Sequence, residues 1–199
     1  MADPRAVHRR ELLALVVGAL CVRLVGRGAY RYVDMDVRSY LDLARNLVGG
    51  EGIEGLFYWP PLFPVLVALL ASLGIPIEMA ATGLVVAAGT LLVVPVFMLG
   101  SALGGVRAGR WAGLGAGLLP SLVLAGQRDH AEPLALLAIG FVAVCLVQAR
   151  TVGQVVKGWS AVGCGACLAL ACLARFEWWL AVPGVLWMVG GWGPGRTGR

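Results

Sequence analysis

Apolar runs recur along the chain from Leu12 to Trp192, separated by short clusters of Arg, Asp, Glu, Gly and Pro. They fall at about 11–27, 61–74, 78–102, 109–127, 132–149, 156–174 and 177–192. None alternates with the period of two that barrel strands need, so the pattern predicts helices throughout and an all-α fold. A helix needs ~20 apolar residues to cross a hydrocarbon layer of about 30 Å. The run at 61–74 is shorter than that. It opens with Pro60-Pro61 and Pro64, which suit the first turn of a helix lying along a membrane surface.

The long connection between Gly28 and Ile77 holds a second pattern. Val37, Tyr40, Leu41, Ala44, Leu47 and Val48 recur at helical spacing, while Arg38, Ser39, Asp42, Arg45 and Asn46 take the other face. This spacing predicts an amphipathic interfacial helix over 37–49, stopped by Gly49-Gly50. Asp36 then stands at or just before the first turn.

Composition settles what these helices face. The chain has 199 residues, 59% hydrophobic and 14% charged, with a mean hydropathy of +0.84. Soluble domains carry about 25% charged residues, so a polytopic transmembrane bundle is expected. A net charge of +5 in a soluble protein would suggest nucleic acid. Here the basic residues sit in short loops between apolar runs, and topology accounts for them without such a partner.

The positive-inside rule then counts the spans. If 61–74 does not cross, Arg5, Arg9, Arg10, Arg107, Arg110, Arg150, Lys157, Arg196 and Arg199 all fall on the cytoplasmic side. Asp34, Asp36, Asp42, Glu51, Glu54, Glu78, Asp129, Glu132 and Glu177 fall outside. If 61–74 crossed, the later basic residues would flip outward. The expectation is six spans within a module over 11–192, with an outer loop at 28–77 and cytoplasmic ends at 1–10 and 193–199. Arg9-Arg10 precede the first run, but Arg23, Arg27 and Arg31 stand where a small-residue cleavage site would be needed, so the run reads as an uncleaved anchor. The expected location is a bacterial inner membrane, multi-pass, N-terminus cytoplasmic.

Three outward elements carry ionisable groups at membrane boundaries, where they are costly and tend to be functional. They are the 34–60 loop, the turn from Gln127 to Pro133, and Arg175-Phe176-Glu177. Asp36 reads equally as a helix cap and as a rigid, ionised general base. Arg128 and Asp129 read first as solvated helix-end charges and His130 as a turn residue, while Glu132 and Arg175 read equally as such charges and as functional groups. A metal site from Asp129, His130 and Glu132 would need three ligands from one short turn to converge. Cys164 and Cys167 have the spacing of a redox or zinc pair, but no second pair exists, and small packing residues is the plainer reading. Together, an outer carboxylate to deprotonate a hydroxyl and arginines to neutralise a departing phosphate suit group transfer. Phe57, Tyr58 and Trp59 would guide a lipid-linked substrate to that depth.

The series Asp36-x-x-x-Tyr40, Ala44-x-x-Leu47-x-x-Gly50 and Trp59-Pro60-Pro61-Leu62-Phe63-Pro64, followed by Glu132-Pro133 and a Gly-rich run ending at Arg175, resembles GT-C superfamily glycosyltransferases. The nearest branch is that of protein O-mannosyltransferases, aminoarabinose transferases and RgtA/B/C/D-like enzymes. The resemblance spans Leu12 to about Trp192. It implies inverting transfer of a sugar from a polyprenyl-phosphate donor to a glycan, lipid or protein acceptor outside the cytoplasm. It also implies Asp36 as catalytic base, Glu132 as second acid, and Arg38, Tyr40, Trp59, Arg175 and Glu177 as substrate contacts. No cofactor is called for, although some members of the superfamily use a divalent metal.

Two departures shape the expectation. Val37 stands where many relatives place a second acid, and Pro60 where the aminoarabinose branch has Lys. Relatives are also longer, so the chain is expected to correspond to their shared N-terminal module. The alternative is a non-catalytic membrane subunit acting with a larger polytopic partner. A transporter half is disfavoured, because the charges lie at outer boundaries rather than mid-bilayer.

Overall fold

The computed structural model describes residues 4–27, 35–51, 58–151 and 158–190. Asp34, Glu54, Phe57, Lys157 and the 193–199 tail therefore lie outside the described residues. Every described element is helical: α1 (Pro4–Arg27), α2 (Met35–Gly49), α3 (Leu62–Ser72), α4 (Ile77–Leu91), α5 (Val93–Leu118), α6 (Pro120–Ala125), α7 (Glu132–Thr151), α8 (Trp159–Ala174), a 3-10 segment (Phe176–Ala181) and α9 (Val182–Gly190). The expected all-α class holds. Two stretches, Ile77–Leu118 and Glu132–Ala149, are long and apolar enough to cross a membrane by length and composition.

The first of these stretches is not one straight rod. Gly104 (φ −139, ψ 15) and Gly105 (φ 77, ψ 176) break the helix inside α5, and the positive φ at Gly105 is a conformation that glycine adopts without strain. The chain folds back there. A Cβ added to Gly100 would lie 2.9 Å from Ala112 Cβ and 3.0 Å from the Ala108 carbonyl, and one on Gly109 would lie 2.8 Å from the Phe97 carbonyl. The two arms thus meet backbone to backbone, as small residues allow in apolar bundles. The runs expected at 78–102 and 109–127 are these arms.

α1 runs alongside the second arm and in the same direction. Glu11 near its start pairs with Arg110 at 2.6 Å, and Ala19 packs with Ala116 and Val93 further along. The end of α1 reaches the point where the second arm breaks. Leu119 is extended (φ −58, ψ 120) because Pro120 follows it and disfavours the helical form in the preceding residue. Arg23 fills this break. It is fully buried and donates to the carbonyls of Ala19 (3.2 Å), Ala116 (3.4 Å), Gly117 (3.5 Å) and Leu122 (3.5 Å).

α2, α3 and the start of α4 form a second packed unit. Val37, Tyr40, Leu41 and Ala44 of α2 close on Phe63 and Val67 of α3 and on Ala81 and Val85 of α4. This apolar stripe is the one the spacing predicts. On the polar face Arg45 bridges Asp42 and Glu78, each at 2.6 Å. α3 has 11 residues, about 16 Å at helical rise, and cannot cross the ~30 Å core of a bilayer.

α7 and α8 pack together with α9 around Val142, Cys164, Leu168, Cys172 and Val185. Cys164 and Cys167 are free thiols, as are the three other cysteines, and Cys164 serves this core. The last expected span, 177–192, differs from its reading. Its first third is 3-10 rather than α, because the extended Arg175 (φ −151, ψ 129) has already interrupted the chain. Large apolar side chains remain uncovered on the outside of the bundle, among them Val25, Trp111, Val162 and Trp187. Extensive apolar exposure of this kind marks a lipid or protein contact.

Candidate active site

The site is assembled from the first turns of two helices and the end of a third. Asp36 occupies the first turn of α2 and is exposed. Tyr40 lies one turn later on the same side of the helix, since residues four apart are neighbours. The Tyr40 ring is buried and held edge-on by Trp59 (5.3 Å between centroids, 62°) and Phe63 (5.5 Å, 80°). Trp59 in turn meets Tyr58. Such edge-to-face pairs contribute about 0.5–1.5 kcal/mol beyond area burial. They fix the loop before Pro60-Pro61 against α2, so that α3 follows it along the same surface.

Glu132 opens α7 with Pro133 behind it. A carboxylate in the first turn faces the positive end of the helix dipole, and proline there forfeits no helical hydrogen bond. Arg175 ends α8 with its own N–H donated to Ala171. Its side chain reaches Glu132 through Nη1 (2.8 Å) and Glu177 through Nε (3.0 Å) and Nη2 (2.6 Å). The Glu177 pair has the two-pronged geometry for which guanidinium is suited. Hydrogen bonds from Arg175 hold the Glu177 carboxyl down at about 2, and its bond to Glu177 raises Arg175 in return. A pocket of about 230 Å³ opens here, lined by Glu132, Ala135, Leu136, Arg175, Glu177 and Trp178.

The Tyr40 phenol ties the two halves together. Burial, its largest influence, pushes the pKa up to about 12; Arg175 opposes this, and Asp36, Glu177 and Glu132 add to it. These four charged groups from three separate parts of the chain therefore all act on one hydroxyl. Of the residues singled out in the sequence, Asp36, Tyr40, Trp59, Glu132, Arg175 and Glu177 share this neighbourhood. Arg38 does not. It stands on the exposed side of α2 and is not among the groups acting on Tyr40.

The turn before α7 resolves differently. Arg128 is exposed and His130 is buried, its Nε2 without a hydrogen-bond partner among the described residues. No group of three potential metal ligands forms among the described residues, so Asp129, His130 and Glu132 do not converge as a metal site would require.

Sequence reading passed over Arg23, noting it only as an obstacle to signal cleavage. The available signal was a lone arginine deep in an apolar run. Beside its helix lies a larger groove of about 680 Å³, lined by Cys21, Val22, Val25, Leu118, Pro120 and Leu124 among others, with no charged side chain.

No family model, curated protein or solved structure matches the chain.

Proposed function

We propose that the protein is a membrane glycosyltransferase that moves a sugar from a polyprenyl-phosphate donor to an acceptor hydroxyl, acting at the non-cytoplasmic face of a bacterial inner membrane. The observation that carries this reading is Arg175 held between Glu132 and Glu177 at a pocket, with Asp36 near enough for its charge to act on the same Tyr40 phenol as theirs. A base, a cation for phosphate and an aromatic platform are what such a transfer requires. The resemblance in sequence order to GT-C enzymes adds to it.

In this reading the acceptor hydroxyl gives its proton to the Asp36 carboxylate as its oxygen attacks the anomeric carbon. The bond from that carbon to the phosphate oxygen breaks on the opposite face, so configuration inverts. The departing polyprenyl phosphate carries the electron pair, and Arg175 neutralises it. Glu132 positions Arg175 through the 2.8 Å contact. Tyr40 stays neutral and, from beneath, holds the half-buried Trp59, the ring on which a sugar face can rest.

The topology proposed with it has six spans and both ends cytoplasmic. Two features support it. The Glu11–Arg110 pair places the start of α1 beside the Gly104-Gly105 turn, the two positions the charge rule assigns to the inside. α3 is too short to cross, which fits a count that leaves the later basic loops on that side. The apolar groove beside α1 suits a lipid tail.

The test is reconstitution of the full chain in liposomes with polyprenyl-phosphate hexose and pentose donors and mixed lipid and glycan acceptors. Time-dependent release of polyprenyl phosphate with a new glycosidic product supports the reading. Turnover that appears only with a co-purifying second polytopic chain would instead make this protein a subunit.

A further inference from the structure

We infer that Glu177 is the resting occupant of an anion seat on Arg175, and that a phosphate-bearing ligand binds there by taking its place. The inference deepens the glycosyltransferase reading, resting on it only for the identity of the lipid that carries the phosphate.

The side-on fork of the guanidinium is filled. Nε and Nη2, the edge that receives a carboxylate or phosphate by two parallel bonds, are both taken by Glu177 at 3.0 and 2.6 Å, and Nη1 is engaged by Glu132 at 2.8 Å. A phosphate can reach the fork only if one carboxylate withdraws. The two are not equally free to do so. Glu177 is 64% exposed and sits on the 3-10 segment two residues from Arg175, whereas Glu132 is less exposed, at 45%, and is fixed at the start of α7. Glu177 can turn into water without uncovering core. The pocket that would receive the ligand adjoins both, with Leu136 and Trp178 as its apolar walls.

The exchange is not a protonation event. With its pKa held at about 2, Glu177 stays ionised near neutral pH, so an incoming anion meets it as a charged competitor. Charge also orders the competitors. A phosphodiester donor carries one negative charge, as Glu177 does, while a phosphomonoester product carries about −1.5 to −2 near pH 7. By charge alone Glu177 therefore competes with donor on even terms and with product at a disadvantage.

Binding of farnesyl phosphate to the full chain in nanodiscs tests this, with farnesol as the uncharged probe and inorganic phosphate as the soluble one. An exposed ion pair is weak, so Glu177→Gln should tighten farnesyl phosphate binding by about two- to fivefold and leave farnesol unchanged. Arg175→Gln should weaken binding, and adding Glu177→Gln to it should restore nothing. Glu78→Gln is the matched control, because Glu78 pairs with Arg45 at the same 2.6 Å and the same 64% exposure. A comparable gain with inorganic phosphate shows that the seat reads phosphate alone; a gain confined to farnesyl phosphate shows that the lipid contributes. The inference fails if Glu177→Gln binds no tighter than wild type, if neither protein binds farnesyl phosphate, or if Glu78→Gln or the Arg175→Gln background shows an equal gain. Absence of sugar transfer would leave these binding results standing, so the two claims fail separately.

Discussion

Two side chains concentrate the consequences of the fold. Tyr40 is a phenol buried between two aromatic rings, its pKa raised chiefly by that burial. Its raised pKa means that the folded protein keeps the proton between the ordinary value of 10.0 and about 12. The stability that its neutral burial contributes is therefore complete below pH 10 and is lost as pH climbs towards 12. In a wild-type minus Tyr40→Phe difference titration, the tyrosinate absorbance step should centre near 12 rather than 10. Tyr40→Ala should cost about 3–5 kcal/mol through the cavity it leaves, while Tyr40→Phe keeps the packing. Arg23 is the other case. The Ala116 and Gly117 carbonyls at the helix break accept from its donors, as do those of Ala19 and Leu122, the last of which also accepts from the Gly126 N–H, and bonds involving a charged group contribute about 1.5–3 kcal/mol each when a partner is removed. Arg23→Lys should lower the thermal midpoint in detergent nearly as far as Arg23→Ala, because one ammonium cannot span what a planar fork spans.

At the scale of elements, the hairpin within α5 is where glycine decides the architecture. Gly100→Ala drives a Cβ to 3.0 Å from a backbone carbonyl in the facing arm, and such overpacking costs about 1–3 kcal/mol. Gly115→Ala meets nothing within 4 Å and should be neutral or slightly stabilising, since alanine is the better helix former. Thermal melts of the two variants side by side check this, and equal effects would mean that the arms do not touch. Helix positions were legible in the sequence because apolar periodicity is local. The stripe from Val37 to Val48 marked α2 to within two residues, and Gly49-Gly50 marked its end. The break at Leu119 was signalled by Pro120 but was absorbed into one long apolar run. The 3-10 segment after Arg175 was missed for a tertiary reason: Glu177 folds back to a guanidinium whose other contact, Glu132, lies 43 residues earlier.

At the scale of the molecule, the chain has two chemically distinct ends. One holds Glu11, Arg110 and the Gly104-Gly105 turn; the other holds α2, α3, the start of α7 and the junction after α8. The sequence led to the expectation that Asp36, Glu132 and the turn holding Arg175 share one side, and that much needed only order along the chain. What it left open was which of them meet. Arg38 was grouped with Tyr40 only through the family resemblance, and it stands on the polar face where the helical spacing already put it. Glu177 followed Arg175 in order, but its two-pronged bond to that residue depends on the extended backbone at Arg175. The central claim joins these scales: a carboxylate at the start of α2 takes a proton at the same place where Arg175 receives a phosphate. The most direct measurement is the single-turnover rate of sugar transfer from a polyprenyl-phosphate donor in proteoliposomes, for wild type and Asp36→Asn, with insertion and thermal midpoint matched. Loss of a general base typically costs about 10²–10⁴-fold, so the Asn variant should retain donor binding and lose transfer by at least the lower of these factors. Transfer by Asp36→Asn at the wild-type rate would contradict it.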